Sequence, residues 1–145
     1  MASGLEGTAV LSKKLKQLGA AYTVPILRAA VRAGMRPAQK KWIETMWRGN
    51  GAHRTYKGRL VAPGFGSRST RIVTKAEPGG QVVSAALGVR KEAFYHVQFI
   101  ERELGRSKHV AQPSLRAAMA STLDEQQAAL AKKLRERIDK IVRTA

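Results

Sequence analysis

The sequence predicts an α+β protein, with a small antiparallel β-sheet of about three to four strands flanked by N-terminal helices and a long C-terminal helix. Two observations lead to this prediction. Apolar residues recur at three- and four-residue steps over residues 11–46 and again over residues 113–143, as in amphipathic helices. Between them, residues 71–100 are rich in β-branched and aromatic residues and contain a Pro-Gly-Gly turn. Because the chain has 145 residues, we expect residues 1–145 to form a single domain.

The N-terminal part, residues 1–47, is expected to contain two helices. Leucines at helical spacing predict a first amphipathic helix that ends at Gly19. Thr23 is a suitable N-cap for a second, longer helix that continues to Met46. Because Pro37 has no backbone N–H and crowds the turn before it, we expect either a kink there or two helices that share one axis.

Residues 48–70 contain five glycines and no acidic residue. This composition predicts a long, mobile, basic loop. We expect the loop to become ordered only on assembly, against the alternative of a plain disordered insertion. The cations expected to make its contacts are Arg54, Lys57 and Arg59.

The segment from residue 71 onward predicts a β-hairpin, because two β-branched stretches, residues 71–74 and 81–89, flank a turn at residues 77–80. Alternating apolar residues predict a third strand over residues 94–100. One face of that strand is expected to pack in the core, and this face carries Tyr95, Val97 and Phe99.

The C-terminal region, residues 113–143, predicts a single helix. At about 1.5 Å per residue, roughly 30 residues make a rod about 45 Å long, which is more than a small domain needs. Part of the rod is therefore expected to pack on another subunit. The apolar residues expected at that interface are Leu134, Ile138 and Ile141.

The two tryptophans, Trp42 and Trp47, lie five residues apart on a predicted helix and therefore point to different sides. We expect one of them to be a core residue and the other to anchor a contact between subunits. Both are therefore candidate assembly residues.

The formal net charge is +17, from 27 Lys and Arg against 10 Asp and Glu, and the excess is spread over the whole chain. Such a protein is expected to act beside something acidic. Nucleic acid, an acidic protein surface and charged neighbours in a large assembly all fit the composition. The charge alone supports one alternative function, a basic nucleic-acid-binding module.

Residues for catalysis, cofactors or metal ions do not stand out in the sequence. The chain has no cysteine, and its three histidines are not spaced with other ligands as in zinc sites. The glycine-rich loop lacks the Gly-Lys-Ser/Thr ending of a phosphate-binding loop. No apolar run has the roughly 18 to 20 residues of a membrane span, and the N-terminus does not follow the pattern of a signal peptide. We expect a soluble, non-enzymatic protein without membrane contact.

Two stretches of the C-terminal half resemble the tail-completion (tail-component, neck) proteins of long-tailed siphophages. The first is residues 94–102, which read Phe-Tyr-His-Val-Gln-Phe-Ile-Glu-Arg. The second is residues 107–119, which read Ser-Lys-His-Val-Ala-Gln-Pro-Ser-Leu-Arg-Ala-Ala-Met. The family shows an aromatic strand and then a Pro-containing opening of the last helix at the corresponding places.

The resemblance implies a structural protein of the virion, made in the host cytoplasm and located at the head–tail junction. It implies a homo-oligomeric ring, expected to be a hexamer, that joins the head-completion (connector) protein to the tail terminator around the DNA channel. Passing contact with genomic DNA is also implied. On this view Glu101 pairs with Arg102 or with an arginine of a neighbouring copy, so both are candidate assembly residues.

Overall fold

The structure, a computed structural model, describes residues 19–46, 48, 51–55, 57–94, 97 and 114–144. The elements in chain order are α1 (Ala20–Thr45), β1 (His53–Arg54), β2 (Leu60–Val61), α2 (Phe65–Arg68), β3 (Thr70–Ala76), β4 (Val83–Val89), a 3₁₀ turn (Lys91–Ala93), α3 (Leu115–Ser121) and α4 (Leu123–Thr144). The predicted α+β class is confirmed. The described strands form two separate antiparallel hairpins, β1–β2 and β3–β4.

Helix α1 is continuous over 26 residues, so the alternative of two coaxial helices is wrong. Its N-cap is Gly19, with φ 73°, and the predicted N-cap Thr23 lies inside the helix, where its hydroxyl donates to the Gly19 carbonyl at 2.8 Å. Pro37 is also inside the helix, at a cost of about 3 kcal/mol. Burial along the rest of the helix offsets that cost. The first predicted helix lies outside the described residues, apart from its end.

From Ile26 onward every fourth residue is buried, and this buried row is Ile26, Ala30, Gly34, Ala38, Trp42 and Met46, the last of which is the C-cap of α1. Its small central members let another helix approach closely. A Cβ atom built on Gly34 would lie 3.0 Å from Cβ of Leu130, whereas Trp42 packs with Ala118. Positions later in α1 therefore meet positions earlier in the C-terminal region, so α1 and α4 run antiparallel.

The β3–β4 hairpin confirms the hairpin prediction. Its register pairs Thr70 with Val89 and Ala76 with Val83. The turn is closed by the N–H of Glu77, which donates to the Val82 carbonyl at 2.9 Å. Half-buried residues alternate with exposed ones along β3, and the half-buried face packs on α1.

The predicted third strand is wrong at both positions that the structure describes. Phe94 and Val97 are helical, and they follow the 3₁₀ turn that begins at Lys91. Val97 is nevertheless buried, in a cluster with Trp42 and Met46, as predicted for a core residue. A short apolar run has no decisive period, so apolar residues spread over positions 94–100 fit a short helix as well as a strand. Tyr95 and Phe99 lie outside the described residues.

The predicted long C-terminal helix is confirmed as α4, but it does not extend over residues 113–143, because a separate shorter helix, α3, precedes it and the two meet at Thr122. The Thr122 hydroxyl donates to the Ala118 carbonyl at 2.7 Å. The side-chain amide of Gln126 donates to the Met119 carbonyl and to the Thr122 hydroxyl, each at 2.9 Å. These side-chain bonds take the place of backbone bonds at the junction, so the helix ends and restarts there.

Residues 48–70 are more regular than the predicted loop. The β1–β2 hairpin closes through Thr55, whose N–H donates to the Arg59 carbonyl at 2.8 Å, and it turns at Gly58, with φ 78°. The guanidinium of Arg68 then donates to the carbonyls of Pro63 at 2.8 Å and Ala62 at 3.3 Å. Backbone carbonyls held by side chains give this glycine-rich segment a defined path.

Candidate interaction surfaces

Four cations lie at four-residue steps along α1, and all four are exposed: Arg28, Arg32, Arg36 and Lys40. We call this set the basic row. Each member is two positions from the buried row, which at about 100° per residue places it on nearly the opposite side of the helix. Successive members are about 6 Å apart along the axis, so the row is about 18 Å long. It faces away from the core for its whole length.

Among the described residues, no ion pair within 4 Å involves the basic row, and the acidic residue that follows in the same four-residue series is Glu44, one turn beyond the last member of the row. The salt bridges there join Arg59 to Glu92 at 3.7 Å and Lys133 to Glu136 at 2.9 Å, and neither involves the row. Like charges four residues apart on a helix destabilise it by about 0.2–0.5 kcal/mol per pair. The chain therefore tolerates an unfavourable arrangement on an exposed face, which indicates a role outside the fold.

Removing these charges should stabilise the fold. In a variant with Gln at all four positions of the basic row, three like-charge pairs and the one favourable pair, Lys40 with Glu44, are lost, and helix propensity is kept. We expect the free energy of unfolding to rise by roughly 0.7 kcal/mol. Urea unfolding, followed by circular dichroism, measures this change in the free energy of unfolding. Because salt screens exposed charges, the gain should shrink at about 1 M NaCl, and a gain unchanged by salt would contradict the electrostatic cause.

A shallow groove of about 730 Å³ lies between α1 and α4, beside the basic row. Its apolar part is formed by Ala33, Pro37, Ile43 and Ala129, and its charged part by Arg36, Lys40, Glu44, Glu125, Lys132, Lys133 and Glu136. A hydrogen bond from Lys133 and the charge of that lysine lower the pKa of Glu136. Two members of the basic row, Arg36 and Lys40, also line this groove, where four cations lie among three glutamates, so the row and the groove share one surface of net positive charge.

The outward face of the β3–β4 hairpin exposes two valines, Val73 at 48% and Val82 at 51%. Along an antiparallel strand, residues whose backbone groups hydrogen-bond to the partner strand alternate with residues whose backbone groups point away from it. Since Glu77 bonds to Val82, residues 73 and 75 bond to β4, and the N–H and C=O groups of Ile72 and Thr74 point to the open edge. Within the described part of the chain, neither edge of this two-stranded sheet is paired. Open edges and exposed valines together make this hairpin a candidate contact with another chain.

The predicted assembly residues of the helices have mostly internal roles. Trp42 is 1% exposed and is the core member of the tryptophan pair, and Ile138 is 3% exposed on the face of α4 that packs on α1. The prediction that one tryptophan lies in the core is therefore confirmed by Trp42, which is not the one available for a subunit contact, and the expectation that Ile138 lies in a subunit interface is wrong. Leu134 and Ile141 are half-buried on α4. Trp47, Glu101 and Arg102 lie outside the described residues.

The predicted assembly cations of residues 48–70 are exposed at the β1–β2 hairpin. Arg54 donates from its guanidinium to the Gly58 carbonyl at 2.9 Å, so its side chain supports the turn. Arg59 lies 3.7 Å from Glu92, and these side chains are 71% and 61% exposed. An ion pair this exposed contributes little stability, so both charges stay available to a partner. Lys57 lies in the turn between the strands and is also exposed.

In the described part of the chain, no three His, Asp or Glu side chains converge as metal ligands would. Likewise, none of the described helices combines the length and hydropathy of a membrane span. The chain matches no protein-family model, no curated protein and no solved structure. The function therefore has to be argued from the surfaces described above.

The basic row is the feature that sequence reasoning missed. A sequence signal for it exists, because residues 26–41 read as four consecutive tetrads, Ile-Leu-Arg-Ala, Ala-Val-Arg-Ala, Gly-Met-Arg-Pro and Ala-Gln-Lys-Lys. The first position of each tetrad is buried and the third is an exposed cation. The apolar residues of α1 alone do not reveal this second pattern, the cation at the third position of each tetrad.

Proposed function

We propose that this chain is a structural protein of a long-tailed phage particle, a tail-completion or neck protein that forms a homo-oligomeric ring between the head connector and the tail terminator, around the DNA channel. The proposal places it in the virion, after synthesis in the host cytoplasm. A hexamer is the expected ring. Its partners are other copies of itself, the head-completion protein and the tail terminator.

Two lines of support meet in this proposal. The resemblance of residues 94–102 and 107–119 to tail-completion proteins supplies the class of function, and it is a resemblance of sequence alone, because Phe94 and Val97 are helical where the family shows a strand. The observation that carries the assembly is the β3–β4 hairpin, because its open edges can pair with another chain. Each copy has two such edges, so a contact between unlike edges of successive copies can close into a ring.

Mass photometry of the purified full-length chain tests the ring. We expect particles of about six times the mass of the 15.8 kDa chain, and negative-stain images with a central opening. A chain that remains monomeric at micromolar concentration, and that mass spectrometry does not find in purified phage particles, contradicts the proposal.

Substitution at the hairpin tests where the copies meet. Val73→Glu replaces an exposed apolar side chain in the centre of the outward face with a carboxylate, and we expect it to shift the ring to monomers because removing a carboxylate from water at a contact costs far more than removing a valine. Val142→Glu is the matched control, since Val142 is 60% exposed on α4. Both variants should keep the circular dichroism spectrum of the native chain. If Val142→Glu dissociates the ring and Val73→Glu does not, the contact is on the C-terminal helix and not on the hairpin.

A further inference from the structure

We infer that the basic row of α1 binds the phosphate backbone of duplex nucleic acid, without reading its sequence. The inference rests on the described geometry of α1 and not on the proposed ring. Its four cations share one exposed face, are spaced at a constant interval and have no ion-pair partner in the described part of the chain.

The regular spacing of the row favours a partner with a regular row of negative charges. Duplex DNA presents one phosphate charge per about 1.7 Å of its axis, whatever its sequence. A globular protein surface usually mixes both signs over a distance of about 18 Å. Three of the four cations are arginines, whose planar guanidinium group donates two parallel hydrogen bonds to a phosphate. Repeated phosphates therefore match the row better than the side chains of an acidic protein do.

A second copy of this chain does not offer a matching surface. The described carboxylates on helices α1 and α4 are Glu44, Asp124, Glu125, Glu136 and Asp139. No two of these five lie four residues apart, so the described helices present no acidic row that would complement the basic one. The row therefore points to a different molecule as its partner.

The surroundings of the row favour duplex over single-stranded nucleic acid. Binding of single strands uses exposed aromatic side chains between the cations, on which bases stack. Small or aliphatic residues, among them Ala29 and Val31, lie between the cations of the row. The only contacts that the row offers are thus charge and hydrogen bonds to phosphate, which carry no sequence information.

The test is fluorescence anisotropy with a labelled duplex of about 30 base pairs, titrated with the purified full-length chain at several salt concentrations. The row variant is Arg28→Gln, Arg32→Gln, Arg36→Gln and Lys40→Gln. The control removes the same charge from exposed residues that lie outside the row and outside the outward face of the β3–β4 hairpin: Arg90→Gln, Arg116→Gln, Arg135→Gln and Lys91→Gln. Each variant loses three arginines and one lysine, so the two have equal net charge. Mass photometry of both variants records any change of assembly separately.

At about 50 mM salt we expect the row variant to bind the duplex at least 100-fold more weakly than the native chain, and the control less than tenfold more weakly. Because the row variant neutralises about four fewer phosphates, the slope of log affinity against log salt should fall by about 3.6 in that variant alone. Two duplexes of unrelated sequence should bind equally.

Several results would overturn the inference. The native protein could fail to bind the duplex, the row variant and the control could lose affinity for the duplex equally, or the row variant could bind the duplex as tightly as the native chain. Stronger competition by poly-glutamate or by anionic vesicles than by unlabelled duplex, at equal charge concentration, would assign the row to an acidic protein or a lipid surface instead.

Discussion

Trp42→Ala is expected to lower the free energy of unfolding by about 3–5 kcal/mol. The Trp42 side chain is 1% exposed and is the largest fully buried side chain among the described residues. It packs with Met46, Val97 and Ala118, which come from three separate parts of the chain. Alanine would leave a cavity at the point where α1, the segment around Val97 and α3 meet. Since domains of this size are stable by only about 5–15 kcal/mol, this loss can exceed half of the total.

Urea unfolding followed by circular dichroism measures the effect of Trp42→Ala. Tyr22→Ala is the control, because it also removes an aromatic ring from α1 but at a position that is 61% exposed. We expect the control to change the free energy of unfolding by less than about 0.5 kcal/mol. Equal effects of the two substitutions would show that Trp42 is not part of the core.

The β3–β4 hairpin was predictable because its signals are local. The turn Glu77-Pro78-Gly79-Gly80 contains two glycines with positive φ, and the strands beside it are rich in β-branched residues. Burial of Trp42 was predictable for a similar reason, since the apolar positions of α1 recur at helical spacing. Features set by residues close in the chain are the ones that the pattern specifies.

The features that sequence reasoning predicted incorrectly depend on contacts that the pattern does not contain. The stripe of α4 suggested an interface with another subunit, yet Ile138 is buried within the chain, on the face of α4 that packs on α1. The end of α3 depends on hydrogen bonds from the Gln126 and Thr122 side chains. Apolar spacing continues through that junction, so spacing alone predicts one rod.

The candidate surfaces were predicted only in part. The exposed cations of the β1–β2 hairpin, such as Arg54, follow from composition, since charged residues are rarely buried. Prediction of the basic row requires the charged residues of α1, and not only the apolar ones, to be examined for a four-residue repeat. Prediction of the open edge of β3 requires the register between β3 and β4. The packing of the helices and strands decides which residues face outward, so the sequence pattern alone does not specify these surfaces.

Gly34→Leu is expected to lower the free energy of unfolding by about 3 kcal/mol, through overpacking and not through a cavity. Gly34 lies in the middle of the buried row, where even a Cβ atom would lie 3.0 Å from Leu130 Cβ and 3.1 Å from the Gln126 carbonyl oxygen. The second of these is backbone of α4 and cannot rotate away. A leucine side chain therefore has to push α4 off α1, which separates the helices along the longest contact of the fold.

Ala33→Leu is the matched control for Gly34→Leu, because it adds a leucine at the adjacent position of α1. Ala33 lines the open groove between α1 and α4, so the new side chain has space there, and we expect a change of less than about 1 kcal/mol. Thermal unfolding of both variants, followed by circular dichroism, measures the difference. Since leucine has a better helix propensity than glycine by nearly 1 kcal/mol, propensity alone predicts that Gly34→Leu stabilises the protein. A raised melting temperature would therefore show that α1 and α4 are not in close contact at Gly34.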